Sequence, residues 1–418
     1  MYAVHAPRAF RVLIPFLVVC LVFLFAPQFS VSASSITPSR TLRPAISTSC
    51  PAPGTANAAS MPSMTLGTDP TIVYIVNEGT PSQPTAGTLK RYDVVTGNKV
   101  EILKMADALI SEAQVSANGQ WLLFVAHVSG QVKLQLVRMD GQFLQTLYCG
   151  NPGQVEWNQQ LVVFEDAQGT LLLNMTTGSL QVELSPSSNP SIHPRTWLDK
   201  TRVYVTLQFV DGPPESVAVL DTSKGPNQQW QNLPVAFDAS SSTPFCWDFD
   251  SSFDGNILFT SQCSAPSVGS PGPGPAHGPS VITVHPPAGG SSYTYIYVSQ
   301  SLAFSAVRAV TSSTLLFLVA NTSGDTSHNG LWKVGTDGSN PLRLTSTPGS
   351  INSQLNQFNQ FPWSNVSRDS QRYVLQIVSS TSSGTTYTLE YGSLSGGSPV
   401  VFASITGTQL ATVGWTTM

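Results

Sequence analysis

An all-β chain assembled from seven copies of one small unit is what the sequence predicts, and three observations carry the prediction. Charged residues make up only 10% of the 418, against roughly 25% in typical soluble proteins. From residue 70 onward, short apolar β-type runs alternate with Gly, Asn, Asp and Ser, and no long stretch repeats with the 3.6-residue period of a helix. Second, a large apolar residue marks a strand at Tyr74, Phe124, Phe164, Tyr204, Phe259, Phe317 and Leu375, with successive separations of 50, 40, 40, 55, 58 and 58. Third, each marker strand is followed by another strand that ends in a tight Gly-containing turn, as in Asp93-Val94-Val95-Thr96-Gly97, Met139-Asp140-Gly141 and Thr336-Asp337-Gly338. Glycine suits these turns because they require positive φ. A strand-based period of this size predicts a seven-bladed propeller.

Taken from the N-terminus, the first element is an address. Arg8 and Arg11 precede an apolar run from Val12 to Phe25, and Val31-Ser32-Ala33 follows with small residues where a signal peptidase reads. The expectation is a secretory signal over residues 1–33, cleaved or kept as an N-terminal anchor. The apolar run is short of the roughly 20 residues that span a bilayer. Cys20 follows Val18-Val19 rather than a small residue, which argues against lipidation there. Residues 34–68, rich in Ser, Thr, Pro and Ala with no apolar period, read as a disordered tether. The propeller then occupies residues 69–418.

Within the repeats, Trp157, Trp197, Trp247 and Trp363 each lie a few residues before a marker and identify an upstream strand, where the ring packs between sheets. The first repeat has no upstream strand. Gln409 to Trp415, at the other end of the chain, is such a strand with its tryptophan and nothing after it. Pairing it with the first blade closes the ring and removes a raw sheet edge.

The turn that opens a blade recurs as Ser116-Ala117-Asn118-Gly119-Gln120-Trp121, Ser252-Phe253-Asp254-Gly255 and Ser367-Arg368-Asp369-Ser370. These residues resemble the Ser-Pro-Asp-Gly turn of the WD40-like repeats in TolB-type propellers, over roughly residues 70–418, although none of the three copies has the proline. The resemblance implies the fold. It implies no single activity, because that family includes interaction modules, lyases and the propeller halves of peptidases.

Export gives the cysteines meaning. A two-residue hairpin turn at Asp254-Gly255 places Cys246 opposite Cys263 at a non-hydrogen-bonded pair, where a disulfide can close. Cys50 and Cys149 are then left to pair with each other, although a free tether does not fix where Cys50 lies.

The function classes narrow by charge and motif. A net charge of −4 without a basic run in the mature region excludes a nucleic-acid groove. There is no G-x-S-x-G elbow, and the histidines lack H-x-x-H or H-E-x-x-H spacing, so no catalytic residue and no resident metal is assigned. Asp250, Ser252 and Asp254 with Gly255 copy the first half of a calcium loop, but Ser261 stands where the closing Glu belongs. No cofactor is therefore expected.

Binding falls to the face that carries the loops between second and third strands and the links between blades. Insertions gather there at Asn77–Gly87, Ser264–Ser280, Asn321–Gly330 and Ser346–Gln360. The richest is the amide and aromatic run Asn352, Gln354, Asn356, Gln357, Phe358, Asn359 and Gln360, side chains suited to sugars or extended peptides. Asp248 and Asp250 share one face of an innermost strand and are candidates for the channel lining. Asn174-Met175-Thr176, Asn321-Thr322-Ser323 and Asn365-Val366-Ser367 fit the glycosylation sequon. The reading is an exported binding or protein-interaction module whose partner is a protein or glycan of the cell envelope or exterior, touching membrane only through its N-terminal segment. The competing readings are a carbohydrate-active lyase or glycosidase at the channel mouth, and an envelope structural element.

Overall fold

A computed structural model describes residues 47–418 except 211–215, 239–247, 253–256, 264–278, 286–293, 322–323, 348–351 and 355–364. Seven four-stranded antiparallel sheets follow one another. Blade 1 contains β1 (Pro70–Thr80), β2 (Gln83–Asp93) and β3 (Lys99–Ala106). Blade 2 is β4 (Ala108–Val115), β5 (Trp121–Val128), β6 (Gln131–Arg138) and β7 (Gln145–Gly150). Blade 3 is β8 (Gly153–Trp157), β9 (Leu161–Asp166), β10 (Gly169–Asn174) and β11 (Leu180–Leu184). Blade 4 is β12 (Ser191–Trp197), β13 (Arg202–Gln208), β14 (Ser216–Asp221) and β15 (Val235–Asp238). Blade 5 is β16 (Asp248–Ser251), β17 (Leu258–Cys263), β18 (Ser280–His285) and β19 (Thr294–Ser299). Blade 6 is β20 (Phe304–Thr311), β21 (Thr314–Val319), β22 (Gly330–Gly335) and β23 (Leu342–Arg343). Blade 7 is β24 (Asn352–Gln354), β25 (Arg372–Thr381), β26 (Gly384–Ser393) and β27 (Val400–Thr406), and the last strand is β28 (Gln409–Thr417).

The seven marker residues all fall on the second strand of a blade, and each is at most 3% exposed. Period-two alternation explains why these strands read as continuous apolar runs. On β5, Trp121, Leu123 and Val125 pack toward blade 3, whereas Leu122, Phe124 and Ala126 pack toward blade 1. A strand buried on both faces has no polar side to show. The same two-sidedness runs around the molecule, with one apolar cluster in each of the seven gaps between neighbouring blades.

Closure follows the expected route. β28 pairs antiparallel with β1 from Pro70 opposite Thr417 to Asn77 opposite Gln409, as the innermost strand of blade 1. Trp415 is fully buried in the cluster shared by blades 7 and 1. Arg368, from the opening turn of blade 7, donates to the Ala117 carbonyl of blade 2 at 2.9 Å, and Thr416 Oγ1 donates to the Gly119 carbonyl at 2.7 Å. The seam is thus tied on both sides.

The recurring serine turn has a common chemistry. Ser116, Ser252 and Ser367 each accept on Oγ from the backbone N–H five residues on, at 3.0, 3.1 and 2.9 Å. Blades 3 and 4 use a shorter turn in which Asn158 and Asp199 accept from the N–H three residues on, at 2.9 and 2.8 Å. Two ways of capping one turn account for the motif being legible in only part of the chain.

Residues 47–69 correct the expectation of disorder for the second half of the 34–68 tether. Thr146 N–H donates to the Ser47 carbonyl, Asn57 N–H to the Leu147 carbonyl and Ala59 N–H to the Met175 carbonyl, at 2.7–2.8 Å. Gln145 brackets Ser60, and Gln120 brackets Met64, each amide accepting and donating. Ala56, Ala59 and Met61 join the core between blades 2 and 3. The segment has no apolar period because it forms no element of its own, and single side chains fill gaps along an existing edge. A Cys50–Cys149 disulfide with Cα atoms 5.5 Å apart fastens it to β7.

The β16–β17 register, with Asp248 opposite Ser261 and Ser251 opposite Leu258, is the one expected from the hairpin turn. Cys246, Trp247, Asp254, Gly255, Trp363 and the side chain of Cys263 lie outside the described residues, as do the signal segment 1–33 and residues 34–46.

Two stability outcomes follow. Trp415→Ala should cost about 3–5 kcal/mol, the range for truncating a buried aromatic, and removal of 409–418 should cost more because it opens the ring; urea unfolding that matches the parent would overturn the closure role. Reducing Cys50–Cys149, or replacing both with Ser, should cost about 2–5 kcal/mol, read as a drop in the denaturation midpoint. An unchanged midpoint would mean that the 47–69 strap holds without its bond.

Candidate functional site

The innermost strands bring together a set of acidic and basic side chains that lie far apart in sequence. Glu112 on β4 reaches across to β8, where its carboxyl oxygens accept from the Val155 N–H at 3.0 and 3.2 Å, and Gln114 accepts from the Trp157 N–H at 3.2 Å. Asp248 and Asp250 on β16 do the same toward β20. Asp248 Oδ2 accepts from Arg308 Nη1 at 2.5 Å, and Asp250 Oδ2 from the Ala309 N–H at 2.8 Å. Arg195 on β12 lies 3.5 Å from Asp248 Oδ1, and Glu156 on β8 is buried between Glu112 and Arg195 in the electrostatic sense, repelled by one and attracted by the other. The result is an arc of polar stitches through blades 2 to 6.

Burial sets their protonation. It pushes Glu112 up to about 8 despite the Val155 bond, and it pushes Asp250 up to about 7 against the pull of Arg308 and the Ala309 N–H. Glu156 is raised well above the ordinary carboxylate range, by burial first and by Glu112 second. Burial thus favours the protonated form of both Glu112 and Glu156.

Asp248 and Asp250, singled out from sequence, sit as placed on an innermost strand, at 6% and 9% exposure, with their oxygens turned into the next blade. The Asp250 oxygens accept from the Ser251 and Ala309 N–H groups; Asp254 and Gly255, the rest of the half calcium loop, lie outside the described residues. Among the described residues no group of three or more His, Cys, Asp or Glu could hold a metal. Asn352 and Gln354 are not in a loop: they form β24, opposite Val378 and Gln376. Asn356, Gln357, Phe358, Asn359 and Gln360 lie outside the described residues.

Two other expected insertions are closed structures. The β1–β2 hairpin continues to Thr80 opposite Gln83, and the buried Asn77 exchanges bonds with the Ile110 backbone of blade 2 at 2.9 and 3.0 Å. The Asn329 side-chain amide accepts from the Asn321 N–H and donates to the Asn321 carbonyl, both at 2.8 Å. Asn321 and Asn365 are each 1% exposed, so neither of those two sequons offers an accessible amide.

A cleft that sequence reasoning missed opens on the same loop-bearing face. It has a volume of about 370 Å³ and lies between the β9–β10 turn of blade 3 and the link from β11 to β12. Its walls include Glu165, Asp166, Thr170, Ser187, Ser191 and His193. His193 Nδ1 and Glu165 Oε2 are 2.8 Å apart, and that bond, ahead of the opposing burial, raises the imidazole above its usual value. Glu165 also lies close enough to Glu112 to help raise it. No local motif announces the cleft, because Glu165 and His193 are 28 residues apart and meet only when two blades pack.

The buried carboxyls give a pH dependence of unusual sign. A carboxyl whose folded pKa exceeds its unfolded value contributes stability below the unfolded pKa and loses it as pH rises toward the folded one. Stability of the parent should therefore decline between roughly pH 5 and 8 relative to Glu112→Gln, in which that titration is absent. Chemical denaturation at several pH values checks this, and parallel curves for the two proteins would refute it. Asp248→Ala, by contrast, should cost about 3–5 kcal/mol because it removes the carboxylate paired with Arg308 in the interior.

A scan of family models gave no match to this chain, and neither did a search of curated proteins. Among solved structures the fold is similar to a prolyl endopeptidase from a study of two such enzymes, with a TM-score of 0.50 and 11% identity over 86% of this chain and 50% of that one. A post-proline cleaving enzyme from Rickettsia typhi gives 0.50 and 9% over 81% and 53%. TolB from Acinetobacter baumannii gives 0.40 and 13% over 65% and 62%. The chain spans about half the length of the peptidases it matches. At these identities the likeness is one of fold, and the fold is a seven-bladed β-propeller with TolB among its structural neighbours.

Proposed function

We propose that this protein is an extracytoplasmic binding module that uses the loop-bearing face of its propeller. One contrast carries the reading. The channel carboxyls are turned into neighbouring blades and spent on backbone N–H groups and on Arg308, whereas the cleft between blades 3 and 4 stays open to solvent with polar walls. A scaffold whose channel carboxyls are spent between blades and which keeps an open polar cleft on its loop face suits the holding of a ligand. The Cys50–Cys149 disulfide supports an oxidising compartment. Either a secreted form or one held by its N-terminal segment fits that placement.

A carbohydrate-active enzyme is the second reading, proposed from sequence at the channel mouth, and the solvent-facing Glu165–His193 pair, in the cleft between blades 3 and 4, favours that class of activity, since such a pair can move a proton. The thermal midpoint of the exported protein against glycans, short peptides, calcium and manganese tests the binding reading. A ligand specific for the native state raises the midpoint. A rise without turnover is expected; turnover abolished by Glu165→Gln would replace this reading with the enzymatic one, and no rise with any class would count against it.

A further inference from the structure

We infer that the cleft between blades 3 and 4 is a subsite for one unit of a neutral saccharide, an assignment that rests on the binding-module reading and gives it a ligand class. The first ground is size. A volume of about 370 Å³ is at the small end of the range for ligand pockets, roughly 300–1,000 Å³, enough for a compact polar group and too little for an extended chain.

The second ground is the wall chemistry. Ser185, Ser187, Ser188, Ser191 and Thr170 line the cleft, with Ile192, Pro186 and Ala167 as its apolar members and no large aromatic side chain. Such a surface gives an apolar peptide or lipid little area to bury. It also lacks Lys and Arg. The nearest guanidinium along β12, Arg195, is directed to Asp248, and with Glu165 and Asp166 in the wall a phosphate, sulfate or uronate meets net repulsion.

The third ground is hydrogen-bonding capacity. Some hydroxyls of the chain satisfy one another, as in Thr386 with Thr406 at 2.8 Å, Thr388 with Ser404 at 2.9 Å and Ser380 with Thr385 at 3.1 Å. Those of Ser185, Ser187, Ser188 and Ser191 make no side-chain hydrogen bond to protein among the described residues. Each can both donate and accept, as a sugar hydroxyl can. Glu165 adds a strong acceptor whose orientation is fixed by His193, and Asp166 is fixed in turn by the Asn151 N–H at 2.8 Å. Fixed acceptors beside uncommitted hydroxyls suit vicinal hydroxyls of a ligand without requiring charge on it.

Calorimetric titration of the full chain with maltotriose, cellotriose and chitotriose tests the assignment, beside trigalacturonate and tetralysine as charged probes. Ser188→Trp fills the exposed rim of the cleft, and Glu165→Gln removes the fixed acceptor; thermal melts verify that both variants fold. The expected result is binding of a neutral trisaccharide, abolished by Ser188→Trp and weakened about tenfold or more by Glu165→Gln, the loss of one charge-assisted bond. Preferential binding of trigalacturonate or tetralysine overturns it, as does neutral-sugar binding that survives both variants. Failure of every neutral trisaccharide also overturns it. In those cases the binding-module reading falls only if the wider ligand panel is silent too.

Discussion

Each blade of this protein is buried on both faces by its neighbours, so no blade has a complete core until the ring is closed. The pairing of Gln409–Thr417 with Pro70–Asn77 is therefore the contact on which the others depend. It seats Trp415 in the gap between blades 7 and 1 and leaves no end blade with an open apolar face. The polar ties around the seam, from Arg368 to Ala117 and from Thr416 to Gly119, reach over the new strand to blade 2. They join three consecutive blades at the point where the chain's two ends meet.

Closure has an electrostatic counterpart in the channel. There, side chains of one innermost strand complete the backbone hydrogen bonding of the next at two blade junctions. Glu112 and Gln114 serve β8, and Asp248 and Asp250 serve β20. Carboxyls are good acceptors for this purpose, but burying several together is costly in charge. The molecule meets that cost in two ways: Arg308 pairs with Asp248 directly, and burial raises Glu112 and Glu156 in favour of their protonated forms. In this geometry the clustered acids join neighbouring blades.

The N-terminal strap illustrates how an edge is handled. The outer strand β7 of blade 2 is covered by residues 47–60, which bond to its backbone at Thr146 and Leu147 and are fixed by Cys50–Cys149. An unpaired outer strand invites association with another chain. Covering it with the chain's own leader removes that risk at one blade and turns a segment of low sequence complexity into part of the folded domain.

Much of the architecture was legible in the sequence because it depends on local periodicity. Marker residues every 40 to 58 positions, turn glycines and the orphan strand at Trp415 were sufficient to predict seven blades and the manner of closure, and the Asp254-Gly255 turn predicted the β16–β17 register. The motif behind the resemblance faded in blades 3 and 4 because Asn158 and Asp199 do the same capping over a shorter span. The site was far less legible. Asn352 and Gln354 looked like loop residues since nothing local distinguishes a short strand of polar residues, and the strap looked disordered since its partners are about 56 to 116 residues away. Composition and spacing thus determined the blade count and the closing strand. Only tertiary packing decided which carboxyls are spent between blades, which hydroxyls remain uncommitted, and that Glu165 meets His193, because those outcomes depend on how neighbouring blades are placed against each other and no short-range pattern encodes that placement.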